Sequence, residues 1–277
     1  MEILENTNKL EASLDEIRRK GQEIGLIPTM GSIHRGHLSL IEKSKKLGYF
    51  SVVTIFINPT QFNQLSDYDQ YPRNKEEDIK SLEKIDSDLL FFPSIKDLYP
   101  NGIKSKKTIL DYRDILCDKF RPGHFDGVTT VVKSLFNLVY PDHAFFGEKD
   151  FQQLKLIQKI IEKDALPILI HPCNSVRMQN GMSFSSRYKN FLPQQEEIFH
   201  KAASKIMTSL NKLNKKIHIK IIKELKEELN KININKIDYI EIRDEINLSP
   251  TSNNKSARLF LAFYIDEIRI IDNFILY

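Results

Sequence analysis

The sequence holds 277 residues, 41% hydrophobic and 28% charged, enough for one large domain or two unequal ones, each with a buried core. Its net charge of +4 comes from 41 basic and 37 acidic residues that are interspersed rather than blocked, which argues against a nucleic-acid footprint. No apolar run approaches the roughly 18 residues of a membrane span, and MEILENTNKLEASLDEIRRK is too charged for a signal peptide, so a cytoplasmic protein with neither a membrane nor a nucleic-acid partner is expected.

In chain order the sequence alternates. EIGLIPT reads as an apolar strand, GHLSLIEKSKKL as an amphipathic helix, SVVTIFI (51–57) as a strand, KEEDIKSLEKI as a helix and DLLFFP as a strand. The pattern continues through a helix GVTTVVKSLFNLVY (127–140), a strand HAFFGE, a helix DFQQLKLIQKIIEKD and a strand PILIHPC. This is the signature of βαβ units and a parallel sheet, so the expected fold class is α/β, with a Rossmann-like nucleotide-binding domain over residues 1–175. Beyond Asn174 come a polar Gly-containing segment, two helices rich in Lys and Glu, and the strands KIDYIEIRD, ARLFLAFYI and IRIIDNFIL with no helices between them. That order predicts a smaller α+β domain with antiparallel strands over residues 176–277. The basic tract 211–236 alternates Lys with Ile and Leu and reads as solvated faces of packed elements. Cys117 and Cys173 stand far apart without CxxC spacing, so neither a disulfide framework nor a four-thiolate zinc site is encoded, and both are expected to be buried thiols.

Chemistry concentrates first in PTMGSIHRGHLSL, at a strand-to-helix junction. Loops at the carboxyl ends of parallel strands meet helix N-termini whose free N–H groups attract anions. Gly31 and Gly36 have P-loop spacing, but His37 and Leu38 follow where a P-loop needs Lys and Ser or Thr, so the Walker reading fails. What remains is a turn that lets backbone approach a phosphate, with His34 and His37 at i and i+3 on one face of the starting helix. Two imidazoles there can donate hydrogen bonds to phosphate oxygens as charge develops at an α-phosphate. The alternatives are a helix-capping or core histidine, and a zinc site for which no third ligand has obvious spacing.

HxGH at the first strand–helix junction resembles the nucleotidylyltransferase superfamily. FINPTQF, YPR, FFPSIKDLYP, RPGHFDGVTTVVKSLFNLVYPDHAFFGEKDFQQL and SFSSR narrow this. In that order and at those intervals they resemble the pantothenate synthetase (pantoate–β-alanine ligase) family over residues 28–192. The resemblance implies a two-step reaction: ATP and pantoate give pantoyl adenylate and pyrophosphate, then the amine of β-alanine displaces AMP. It places ATP on Met30, Gly31, Ser32, Ile33, His34, Arg35, Gly36 and His37, on Gly147, Glu148, Lys149 and Asp150, and on Val176, Phe184, Ser185, Ser186 and Arg187. It makes His34, His37 and Lys149 catalytic and gives pantoate and β-alanine to Asn58, Gln61 and Gln153, whose amides both donate and accept.

By the same resemblance Lys149 neutralises phosphate charge, Asp150 contacts the ribose, and SFSSR is a counterpart of the superfamily's KMSKS loop on a domain that closes like a lid. Mg²⁺ is expected with ATP, with Glu77 or Asp78 as outer ligands or, equally, as helix N-terminal carboxylates. A homodimer is the family expectation. RPGHFDGV, with Arg121 and His124, borders the expected pantoate pocket or is a turn built for backbone reasons just before the helix at Gly127. Three features depart from the family pattern: Asn180 stands where an acidic residue is usual, Tyr188 replaces an Asn, and YKNFL is one residue longer. They bear on how that loop closes and leave the paired histidines, the glutamines and Lys149 intact. Two other readings are a related transferase adenylating a different small acid, and a non-catalytic nucleotide sensor or RNA-binding protein using the basic tract.

Overall fold

The structure, a computed structural model, describes residues 1–107, 109–215, 219–252 and 256–277. The chain resolves into two compact units, one of Met1–Arg113 with Arg121–Val176, the other of Asp114–Phe120 with Arg177–Tyr277.

The first unit opens with β1 (Glu2–Leu4), α1 (Thr7–Arg19), β2 (Ile24–Thr29), α2 (Arg35–Lys46) and β3 (Phe50–Ile55). A 3-10 turn (Pro59–Gln61), α3 (Leu65–Asp69), α4 (Lys75–Glu83), β4 (Leu89–Phe91) and α5 (Ile95–Leu98) follow. After α6 (Leu116–Phe120), which belongs to the second unit, come α7 (His124–Val139), β5 (His143–Gly147), a 3-10 turn (Glu148–Asp150), α8 (Phe151–Asp164) and β6 (Leu169–Cys173). The six strands form one parallel sheet in the order β1-β4-β3-β2-β5-β6. Strands β2 and β3 are buried along nearly their whole length because helices cover both faces. Ile27, Val53, Leu90 and Phe145 from four strands meet Leu40 and Ile41 of α2 and Leu82 of α4 in one core.

The second unit carries α9 (Pro193–Lys215), α10 (Ile219–Asn230) and an antiparallel sheet of β7 (Ile237–Asp244), β8 (Ala257–Ile265) and β9 (Ile268–Ile275). Strand β8 lies in the middle, paired with β7 through Ile240↔Leu261 and with β9 through Leu261↔Asp272. Ala203, Ile206 and Leu213 of α9 and Leu225 and Leu229 of α10 pack with Leu259, Leu261 and Phe263 of β8. The polar faces of both helices carry Lys–Glu pairs such as Lys205–Glu228 at 2.6 Å and Lys212–Glu224 at 3.4 Å. Within the basic tract 211–236, residues 216–218 lie outside the described residues.

One element is unforeseen and one boundary moves. Residues 2–4 form an edge strand parallel to β4, although EIL is too short to show periodicity. Helix α7 begins at His124, not Gly127, because Gly123 adopts φ +79° and turns the chain into the helix one turn earlier.

Candidate active site

The sheet order reverses beside β2: β3 and β4 extend to one side, β5 and β6 to the other. In an open parallel sheet, the crevice at the carboxyl ends of the two strands flanking such a reversal receives ligands. The segments leaving these strands are residues 30–34 after β2 and Gly147–Asp150 after β5, so topology alone brings HxGH and GEKD to one edge.

Residues 30–34 are held by backbone capture. Gly31 and Ser32 are both left-handed, at φ +78° and +51°, and for Ser32 this costs about 1–2 kcal/mol. The offset comes from Asp78 of α4, 3% exposed, whose carboxylate oxygens accept from Ser32 N at 2.8 Å and Ile33 N at 2.6 Å. Hydrogen bonds to a charged group contribute about 1.5–3 kcal/mol each, so the pair outweighs the strain. A Cβ on Gly31 would lie 2.9 Å from Asp78 Oδ2, which reserves that position for glycine. Asp78, in the first turn of α4, thus fastens the loop that follows β2.

The two histidines do not both lie on the helix. His34 precedes it, extended at φ −142° and ψ 174°, and is its N-cap, with Nδ1 accepting from Gly36 N at 3.1 Å. An imidazole can cap because its unprotonated nitrogen accepts like a carboxamide oxygen. With Nδ1 accepting, the neutral ring carries its proton on Nε2, which is a donor. His37, in the first turn of α2, stacks on His34 with centroids 4.0 Å apart and planes 15° from parallel. Capping and a shared face, alternatives in the sequence, coexist here.

After β3, the amide of Asn58 is 1% exposed and fully engaged. Its Oδ1 accepts from Tyr99 OH at 2.6 Å, from Thr60 Oγ1 at 3.0 Å and from Thr60 N at 3.3 Å. Its Nδ2 donates to Gln61 Oε1 and Gly127 O, both at 3.1 Å. Burial holds the Tyr99 phenol above its ordinary range, so it stays a donor. Gln61 Nε2 lies 2.7 Å from Met30 Sδ, linking the β3 turn to the β2 loop. The carbonyl of Gln61 accepts from His124 Nδ1 at 2.8 Å and Arg121 NH2 at 3.1 Å, while Arg121 NH1 reaches His124 Nε2 at 3.2 Å. RPGHFDGV is therefore a brace behind Gln61. Gly127 completes it: a Cβ there would sit 2.6 Å from the Thr60 carbonyl oxygen, so only glycine lets α7 approach the turn this closely.

After β5, Gly147 leads into the 3-10 turn that carries Glu148, Lys149 and Asp150. Lys149 Nζ is 3.9 Å from Asp150 Oδ2, with side chains 19% and 47% exposed, a pair too loose to contribute much stability. In the first turn of α8, Gln153 is half-buried, while neighbouring Gln152 is 5% exposed and donates to Tyr112 O at 2.9 Å. Of the two adjacent glutamines, only the first is committed to the fold by this bond. Val176 is the last residue of the first unit.

Phe184, Ser185, Ser186 and Arg187 belong to the second unit. Ser185 Oγ accepts from Arg187 N at 3.4 Å and caps a 3-10 turn (Ser186–Asn190). Tyr188 leaves this turn into an aromatic cluster, with centroids 4.5 Å from Phe199 and 5.2 Å from Phe191. Burial drives its phenol pKa far up, and the Asp272 carboxylate adds to the shift. Asn180 closes the preceding turn through Met182 N → Oδ1 at 3.1 Å.

Among the described residues no group of three or more His, Cys, Asp or Glu side chains is arranged to hold a metal ion, and both Asp78 oxygens accept backbone amides.

Sequence patterning gives no sign of Asp78 as a loop anchor, nor of Tyr99, Thr60 and Gly127 as the setting of Asn58 and Gln61. The available signal is the glycine in HFDGV, four residues into a helical run.

The family model described as Pantoate-beta-alanine ligase matches residues 2–275. The pantothenate synthetase of Sulfurihydrogenibium sp. (strain YO3AOP1) is 38% identical over 99% of both chains. That of Aquifex aeolicus is 37% identical over 98% of this chain and 97% of its own. Among solved structures, pantothenate synthetase from Thermus thermophilus superposes with a TM-score of 0.91 at 31% identity over the whole of both chains. Pantoate-beta-alanine ligase from Francisella tularensis, complexed with beta-gamma ATP and beta-alanine, gives a TM-score of 0.86 at 36% identity over 99% of this chain and 97% of that one.

Proposed function

Because the chain belongs to the pantoate-beta-alanine ligase family, we propose that the crevice between the ends of β2 and β5 is where it adenylates pantoate. The protein is a ligase that joins pantoate to β-alanine through an amide bond at the expense of ATP.

The pantoate carboxylate attacks the α-phosphorus, pyrophosphate leaves, and pantoyl adenylate forms. The amine of β-alanine then attacks the acyl carbon, AMP departs with the bonding electron pair, and the amine's proton passes to solvent. The observation that carries this assignment is the stacked His34–His37 pair at the start of α2, held in place by His34 Nδ1 accepting from Gly36 N. These rings and Lys149 donate to phosphate oxygens and stabilise the charge that builds in the transition state. Residues 30–36 and 147–150 wrap the nucleotide. Gln61 and Gln153 orient pantoate, and Asn58 acts through Gln61, since its own amide is spent. Ser185, Ser186 and Arg187 supply hydroxyls and a guanidinium to the triphosphate. Residues 1–175 thus serve as the ATP- and pantoate-binding domain and 176–277 as its lid. Mg²⁺ arrives with ATP and neutralises phosphate charge when bound. The family pattern supports a cytoplasmic homodimer, and no helix among the described residues is long and apolar enough to cross a membrane.

The test is release of pyrophosphate and AMP from ATP, Mg²⁺ and pantoate, with and without β-alanine. A stoichiometric pyrophosphate burst without the amine, turning into sustained AMP and pantothenate formation with it, is the expected result. Pyrophosphate released with another small acid but not with pantoate would move the protein to a neighbouring transferase activity.

A further inference from the structure

The SFSSR loop follows a short hairpin. Arg177 and Ser183 form an antiparallel bridge, Met178 N donates to Met182 O at 2.8 Å, and Gly181 turns the chain at φ +86°. One carboxylate on β9 grips both sides of it. Asp272, whose side chain is 0% exposed, accepts from Ser183 N at 2.7 Å and pairs with Arg177 NH1 at 3.3 Å through the same oxygen, Oδ2. Its other oxygen accepts from Asn273 N at 2.8 Å. Arg177 completes the grip: NH1 also donates to Gly181 O at 2.9 Å, NH2 to Asn273 O at 2.7 Å, and the guanidinium lies over the Phe274 ring at 4.2 Å. The far end of the loop is fixed by Tyr188 between Phe191 and Phe199. Residues 183–187 are thus suspended between an ion pair whose carboxylate is fully buried and an aromatic cluster.

We infer that Asp272 and Arg177 are positioning residues for ATP, setting the backbone from which Ser185, Ser186 and Arg187 reach the triphosphate. This inference rests on the reading of that loop as a phosphate ligand. A fully buried carboxylate in a small antiparallel sheet is hard to explain as a stability device, since its desolvation offsets much of what its pairing with the partly exposed Arg177 contributes. Here one oxygen of the carboxylate holds both sides of the hairpin, accepting from the Ser183 amide that begins the loop and from Arg177 across from it. The same strand supplies a control of the same kind: Arg269 Nε donates to Asp238 Oδ2 at 2.7 Å, both side chains being 9% exposed, and neither residue is bonded to the loop segment in that pair.

The experiment compares Asp272→Asn, Arg177→Lys, Asp238→Asn and Arg187→Ala in the full-length protein, reading KM for ATP, KM for pantoate, kcat and thermal stability. Asp272→Asn is expected to raise KM for ATP about tenfold with KM for pantoate unchanged, as expected for losing charge-assisted positioning bonds. Arg177→Lys, which keeps the charge but not the fork, is expected to do the same more weakly, and Asp238→Asn to lower stability without moving KM for ATP. A folded Asp272→Asn with wild-type KM for ATP, or an equal rise in Asp238→Asn, would overturn the inference. If Asp272→Asn does not fold, Arg177→Lys decides by the same two criteria. Arg187→Ala separates the two levels. A raised KM for ATP there, with none in Asp272→Asn or Arg177→Lys, rejects the clamp alone, whereas no change in Arg187→Ala removes the loop's phosphate role and the clamp with it.

Discussion

Two histidine pairs lie in the first unit, one beyond the carboxyl end of β2 and the other on β5 and β6 of the same parallel sheet. His34 and His37 follow the carboxyl end of β2, parallel and 4.0 Å apart. His143, at the amino end of β5, reaches across to β6, where its Nδ1 is 3.0 Å from His171 Nε2. The second pair is walled in: Tyr49 stacks on His143 at 3.7 Å and Phe145 on His171 at 4.6 Å, with Glu23 at 3.4 Å from His143 Nε2. Burial foremost, then the charges of His143 and Lys43, holds His171 below its ordinary pKa. Histidine content therefore says little by itself. At the carboxyl end the rings sit where a helix N-terminus concentrates partial positive charge, and on β5 and β6 they tie neighbouring strands.

This contrast can be broken by substitution. His37→Ala should lower the rate of pyrophosphate release about 10²–10³-fold, the cost of removing one transition-state donor, with the melting temperature unchanged; near-normal turnover would remove it from the chemistry. His34→Asn keeps a cap for Gly36 N and loses the ring, so it should cost about tenfold in rate and little stability, whereas His34→Ala should also lose about 1 kcal/mol of helix capping. His143→Phe keeps an aromatic ring on Tyr49 but leaves His171 Nε2 without its partner. It should lower stability by about 1 kcal/mol with kcat and both KM values unchanged, and any change in kcat would erase the distinction between the pairs. The smallest effect is on pH dependence. Since the folded pKa of His171 lies below the unfolded value of about 6.5, the unfolded chain binds more protons across that window and stability rises with pH. Stability is complete above about pH 6.5 and falls as pH drops through the folded pKa, so His171→Gln should narrow the gap in melting temperature between about pH 7.5 and about pH 5.5.

The same contrast explains what can be read in advance. The α/β class, the parallel sheet and the antiparallel second region follow from the order of short apolar runs and amphipathic stretches, the runs being near-continuous in IGLIPT, FSVVTI and ARLFLAFYI because these strands are buried. Strand β1 is invisible because three residues carry no period, and α7 reads as starting a turn late because Gly127 looks like punctuation although it serves a close approach. In the site, local spacing exposes His34 and His37, which are three residues apart. The bonds of Asp78 to Ser32 N and of Tyr99 to Asn58 span 46 and 41 residues, and only the register of parallel strands creates such contacts. Asn58 is legible as a polar residue after a strand, but not as one whose amide is already consumed.

The segment Asp114–Phe120 gives the chain an order of assembly. Leu116 and Cys117 are buried within the second unit, with Cys117 Sγ 3.1 Å from Tyr239 OH on β7, a partner 122 residues further along. At the ribosome's pace of about 5–20 residues per second, this stretch waits on the order of ten seconds for its place to be synthesised. A nascent chain halted after β6 would lack β7, and with it the Tyr239 partner of Cys117, so this segment's place in the fold exists only once the second unit has been made.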